Sequence, residues 1–144
     1  MLKKLDPLLS PDLLHVLRAM GHGDEIVIVD ANFPAESSGP RIVRLDGVSA
    51  TAVLDAVLSV MPLDDFAPEA AWRMEVVGAP DEEQPIFDEF RNIISAREGA
   101  GFELASLERF AFYKQASACY AVVATGEPRL YGNIILKKGV VRPE

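Results

Sequence analysis

This sequence predicts an α/β domain, a three-layer α/β/α sandwich around a largely parallel or mixed central sheet, and three observations carry the expectation. Amphipathic stretches of helical period alternate with short apolar strands along the chain, the pattern of helices packed onto a sheet. Ile26-Val27-Ile28-Val29 is an unbroken β-branched run between Glu25 and Asp30, as expected of a central strand covered on both faces. Connections are short, and no linker, repeat or low-complexity segment divides the chain, so residues 1–144 read as one domain.

Each element has a local cause. Ser10-Pro11-Asp12 opens a helix with a capping hydroxyl, a proline suited to the first turn and an acid at the positive dipole end. Leu13, Leu14, Leu17 and Met20 form its apolar stripe, and Gly21 is expected to stop it in the left-handed conformation. After the strand at 26–29, residues 31–40 are rich in breakers and read as a loop at the strand's carboxyl end. Arg41 to Leu45 alternates as a strand, Asp46-Gly47 turns, and Ser49 caps a helix with the stripe Val53, Leu54, Val57, Leu58 and Met61, ended by Pro62. Trp72 to Val76 alternates as a half-buried strand, 78–84 is an acidic loop, and Ile86, Phe87, Phe90, Ile93 and Ile94 mark a further helix. A short strand is expected at 104–107, a helix at 110–118, a strand at 120–124, a turn at Gly126-Glu127-Pro128 and a last strand at 134–136.

Composition removes whole classes of function. A chain of 144 residues buries about 70% of its unfolded surface, so neither disulfide nor metal is needed to hold it. With 22 acidic and 14 basic residues the net charge is −8, which repels phosphate backbones and anionic membranes, so neither nucleic acid nor a membrane is expected as a partner. No secretory pattern opens the chain, no apolar run approaches the roughly 20 residues of a membrane span, and a lone Cys119 in an apolar stretch suits a reducing cytoplasm. Two histidines and one cysteine cannot build a structural zinc cluster, and no phosphate-binding loop or Gly-x-Ser-x-Gly elbow is present. Gly21-His22-Gly23 precedes its strand, so it is no dinucleotide fingerprint. No cofactor and no metal are expected.

The remaining candidates are few. His22, between two glycines, can give or take a proton at neutral pH or simply sit at a helix C-terminus. Asp30, at the end of the buried strand, can bind a hydroxyl or cap a turn with Asn32. Arg109 can fork onto ligand oxygens or belong to an aromatic core segment, Arg109-Phe110-Ala111-Phe112-Tyr113. Tyr131-Gly132-Asn133 offers a phenol, an approachable backbone and an amide, or a tight turn into the last strand. His15, beside the first helix's stripe, reads as a surface side chain.

Four blocks, Met20 to Glu25, Asp30 to Ala35, Arg109 to Tyr113 and Tyr131 to Val140, resemble in order and spacing the RbsD/FucU sugar mutarotases. Between Pro62 and Ser106 only the helix and strand pattern supports the resemblance. It implies that family's three-layer fold, assembly into homo-oligomers with sites near subunit contacts, and interconversion of sugar ring forms without cofactor or metal. Arg109-Phe110-Ala111-Phe112-Tyr113, and Gly132 after Tyr131, look like the fucose branch, implying L-fucose as the monosaccharide. By the same resemblance His22 is the proton donor, and Asp30, Arg109, Tyr131 and Asn133 hold sugar hydroxyls. The complementary proton is then expected to pass through Tyr131 or a bound water. A D-ribose mutarotase and a non-catalytic monosaccharide-binding or regulatory module are the alternatives.

Overall fold

The structure is a computed structural model describing residues 1–144. Four helices and six strands follow in the order α1 (Pro11–Ala19), β1 (Glu25–Val29), β2 (Arg41–Leu45), α2 (Ala50–Leu58), β3 (Ala71–Met74), α3 (Pro85–Glu98), β4 (Ala105–Leu107), α4 (Arg109–Ser117), β5 (Ala121–Thr125) and β6 (Ile134–Lys137). The strands form one mixed sheet in the order β2-β5-β1-β6-β3-β4. β5 runs parallel to both β1 and β2, and β3 parallel to β4, whereas β6 is antiparallel to its neighbours β1 and β3. No helix is long and apolar enough to cross a membrane.

Strand alternation sorts the core into two layers. Ile26 and Ile28, with Ala121, Val123, Ile134 and Leu136, face the stripes of α1, α2 and α3. Val27 and Val29, with Val122, Ala124 and Ile135, face Phe112 and Ala116 of α4. The layers are unequal, 27 buried residues against 11, so α4 depends on few contacts. Phe112 is fully buried, and its truncation to alanine costs about 3–5 kcal/mol and loosens the helix that begins at Arg109.

Helix caps follow the sequence: Ser10 Oγ accepts Leu13 N–H, Ser49 Oγ accepts Ala52 N–H, and Glu108 Oε2 accepts Phe110 and Ala111 N–H. Three expectations are corrected. Gly21 is not left-handed: α1 ends on Met20 in extended backbone, and the positive φ falls at Gly23, +89°. Lys138 Nζ instead donates to the Leu17 and Met20 carbonyls at 2.6 and 2.5 Å, satisfying helix-end acceptors from the far end of β6. α2 stops at Leu58, short of Pro62: the Ser59, Val60 and Met61 N–H groups donate to the Asp55 and Val57 carbonyls in a last, looser turn, and Met61 is buried. β3 is not half-buried but covered on both faces, with Arg73 laid over the Phe87 ring at 4.3 Å, and it ends at Met74.

The topology has one consequence for function. The carboxyl ends of β1, β5, β3 and β4 and the amino end of β6 lie along the same sheet edge, which gathers Asp30, Glu127, Val77, Arg109 and Asn133. In open α/β sheets that is the edge where ligands bind.

Candidate functional site

At this edge lies a pocket of about 230 Å³ whose lining includes the polar side chains Asp30, Asn32, Arg109, Tyr131 and Asn133, with Phe33, Met74, Val77, Tyr113 and Leu130 beside them. It is smaller than the roughly 300–1,000 Å³ typical of drug-sized sites, in keeping with a single small polar ring. Four of the five site residues read from the sequence therefore share one pocket. A larger hollow of about 390 Å³ lies on the other side of Asp30 and Phe33. Its arginine, Arg44, is already paired with Glu36 and Asp46.

Asp30 is buried, lines this pocket and caps the turn with Asn32. Its carboxylate accepts Asn32 N–H at 3.0 Å, the turn-capping bond, and Gly132 N–H at 3.2 Å, while its own N–H donates to Asn133 Oδ1 at 2.8 Å. The carboxyl end of β1 and the amino end of β6 are thereby locked together. Burial pushes the Asp30 carboxyl above its ordinary value, against the opposing pull of its N–H donors.

Arg109 opens α4. Its guanidinium lies over the exposed Phe110 ring at 4.5 Å, and its buried Nε has no hydrogen-bond partner in the chain. The residue lines the pocket, and a guanidinium with an unpartnered donor is suited to ligand oxygen. The aromatics after it divide: Phe112 is core, Tyr113 is half-buried at the pocket wall, and Phe110 is exposed. Tyr131 has a left-handed backbone, φ +61°. Its hydroxyl oxygen accepts Val77 N–H at 3.0 Å, which leaves the O–H to donate into the pocket.

His22 lies elsewhere. It sits in the turn before β1, where Gly21 N–H donates to Asp24 Oδ2 at 2.8 Å and Gly23 N–H to the Lys138 carbonyl at 2.9 Å. Its Nε2–H donates to Asp64 Oδ1 at 2.8 Å, and its ring lies 4.9 Å from that of Phe66. The imidazole is 43% exposed and Asp64 only 3%. Burial pushes the Asp64 carboxyl up, but the bonds from His22, Phe66 N–H and Ala67 N–H outweigh it and hold the group below its ordinary value. The Asp64 loop is fixed in turn: Gly139 N–H donates to the Pro62 carbonyl at 2.8 Å, and a Cβ at Gly139 would come 2.4 Å from the Leu63 oxygen. With Nε2 held by a carboxylate, Nδ1 is the ring nitrogen left for proton transfer.

The five residues of β1 separate the two places, about 16 Å at the usual rise of a strand. Within one chain the imidazole and the Asp30 pocket therefore stand at opposite ends of the β1/β6 ribbon.

Two contributors escaped the sequence reading. Asp64 had a signal, an aspartate heading a turn that ends in Pro68, with two N–H groups on its carboxylate; its histidine partner lies 42 residues away. Val77 contributes a backbone N–H, which leaves no mark on residue type.

Residues 3–141 match the RbsD / FucU transport protein family. The chain is 47% identical to the fucose mutarotase of Homo sapiens, over 97% of its own length and 94% of that protein's. It is also similar to the FucU structure from Bifidobacterium longum, at 45% identity and a TM-score of 0.91, covering 96% of this chain and 99% of that one. The structure of the fucose mutarotase of Streptococcus pneumoniae in complex with L-fucose is 43% identical, with a TM-score of 0.90, covering 98% of this chain and 100% of that one.

Proposed function

The chain belongs to the RbsD/FucU family, and from that premise we propose that it is a mutarotase that interconverts the α and β anomers of L-fucose. The observation that carries this reading is the pocket. Six hydrogen-bonding side chains line a space of about 230 Å³, in a fold shared over nearly full length with a relative that holds L-fucose.

Anomer exchange requires a proton to leave the anomeric hydroxyl and another to reach the ring oxygen as the bond from that oxygen to the anomeric carbon breaks. The open aldehyde turns about its first carbon–carbon bond and recloses from the other face, and both protons are returned. Asp30 and Asn133 hold ring hydroxyls, and Arg109 takes the open donor position onto sugar oxygen. Tyr131, with its oxygen already bonded by Val77 N–H, moves one proton through its O–H. His22 moves the other, its ring oriented by Asp64. One positioned acid/base group contributes about 10²–10⁴ in rate, ample for a reaction that also proceeds unaided.

In this reading the imidazole comes from a second copy of the chain, whose His22 turn docks against the pocket of the first. The separation of about 16 Å along β1 supports it, as do the apolar side chains at both places: Phe66 beside His22, and Val77, Phe110 and Leu130 around the pocket, are all exposed. The assembly is then a homo-oligomer joined head to tail.

Saturation-transfer NMR on L-fucose, D-ribose and D-galactose tests the function. Exchange between L-fucose anomers well above the buffer rate, and above that of the other two sugars, is expected. Sugar binding with exchange at the buffer rate would instead establish a binding module, and fastest exchange on D-ribose would move the chain to the other branch.

A further inference from the structure

Glu127 takes no part in the site described above, yet at 2% exposure it is the most deeply buried acidic side chain in the molecule. Arg129 grips it at three points: Nη2 donates to Oε1 at 3.0 Å, Nε to Oε2 at 3.1 Å, and the Arg129 backbone N–H to Oε2 at 3.3 Å. The same guanidinium reaches Glu89 on α3 through Nη1. Burial by itself pushes the Glu127 carboxyl up; the Arg129 bonds reverse this, so the side chain is charged at neutral pH.

The backbone of the same residue ties into the pocket. Glu127 N–H donates to Thr125 Oγ1 at 3.2 Å, Thr125 Oγ1 donates to the Val29 carbonyl at 2.7 Å, and the Glu127 carbonyl accepts Ala31 N–H at 2.9 Å. The residues on both sides of Asp30 are thus tied to the end of β5. The Glu127 side chain also fills the space behind Gly132: a Cβ there would come 2.9 Å from Glu127 Cγ and 3.2 Å from the Arg129 carbonyl oxygen. Gly132 is a fixed point of the pocket wall. Its N–H donates to Asp30 Oδ2, and it joins Asn133 to Tyr131, whose left-handed backbone has to be held by its surroundings.

We propose that Glu127, clasped by Arg129 and through it by Glu89, is a positioning residue that braces Gly132 and thereby sets Tyr131, Asn133 and Asp30 in the geometry that meets the sugar. The proposal rests on the reading that those three side chains contact it. Glu127→Gln keeps the shape behind Gly132 and weakens the clasp. It lowers kcat/KM for L-fucose exchange about tenfold, and because it acts through Tyr131 the loss shrinks to about threefold or less in a Tyr131→Phe background. A general loss of folded protein would instead give the same factor in both backgrounds. Arg129→Gln, which releases the same clasp from a half-exposed position, shows the same pattern and decides the matter if Glu127→Gln does not fold.

A Glu127→Gln variant within about twofold of the unmodified chain, or a full tenfold loss persisting beside Tyr131→Phe, overturns the proposal. Absence of L-fucose exchange by the unmodified chain counts against the mutarotase reading instead. The amide proton and nitrogen resonances of Gly132 and Asn133 then still decide the bracing: shifted peaks in Glu127→Gln support it, and unmoved peaks sink it.

Discussion

The two ends of the β1/β6 ribbon are built on opposite plans. At the Asp30 end, four elements converge on a concave pocket, its walls cross-linked by Asp30, Asn133 and Gly132 and its arginine left with an open donor. At the His22 end there is a turn with a half-exposed imidazole, clamped on a buried aspartate and beside an exposed phenylalanine. In the proposed reaction the first end holds the sugar and moves one proton through Tyr131, and the second moves the other through His22. Neither end carries both proton-transfer groups, which is what makes a second copy chemically useful.

The most severe way to break the comparison is His22→Ala. L-fucose exchange is expected to fall by about 10²–10⁴, to the buffer rate, with sugar binding largely retained; saturation-transfer NMR and a binding titration separate the two. Mixing sharpens it. With His22→Ala and Asp30→Asn chains co-refolded in equal amounts, each weak alone at low sugar, about a quarter of the sites combine an intact pocket with an intact imidazole. Activity near that fraction is expected, and none at all would mean that one chain uses its own His22.

Asp30→Asn removes a charged acceptor at the pocket end. Binding is expected to weaken by about 1.5–3 kcal/mol, the range of a hydrogen bond to a charged group, with a smaller change in kcat. Asp64→Asn touches only the other end: kcat falls about tenfold through loss of imidazole orientation while KM stays nearly constant. The same variant has a stability signature. The folded-state value of Asp64 lies below its ordinary 3.8, so the unfolded chain binds more protons between the two. The stabilisation is complete above 3.8 and disappears as pH falls through the folded value. Acid melting curves should therefore be shallower for Asp64→Asn in that window.

The same contrast explains what could be read in advance. The sandwich was legible because the unbroken β-branched run Ile26 to Val29 and the stripes of α1, α2 and α3 are properties of local sequence. Asp30, Tyr131 and Asn133 stood out as polar residues at the margins of apolar strands, and His22 because glycines isolate it. Features set by distant chain were not legible. The end of α1 is decided by Lys138, 118 and 121 residues away from the carbonyls it satisfies, so Gly21 never needs the left-handed turn. Asp64 gains its meaning from a histidine in another loop, and Arg73 is buried by a ring from α3.

The antiparallel pairing of β1 with β6, Glu25 opposite Lys137 through Ile28 opposite Ile134, works as a ruler. Inserting one residue into both strands would turn every inward side chain outward. Inserting two would preserve the faces but lengthen the ruler by about 7 Å. Such a variant would still fold, yet its protruding imidazole and its cavity would no longer match the spacing of an unaltered neighbour, so size exclusion would find the two forms sorting into separate assemblies.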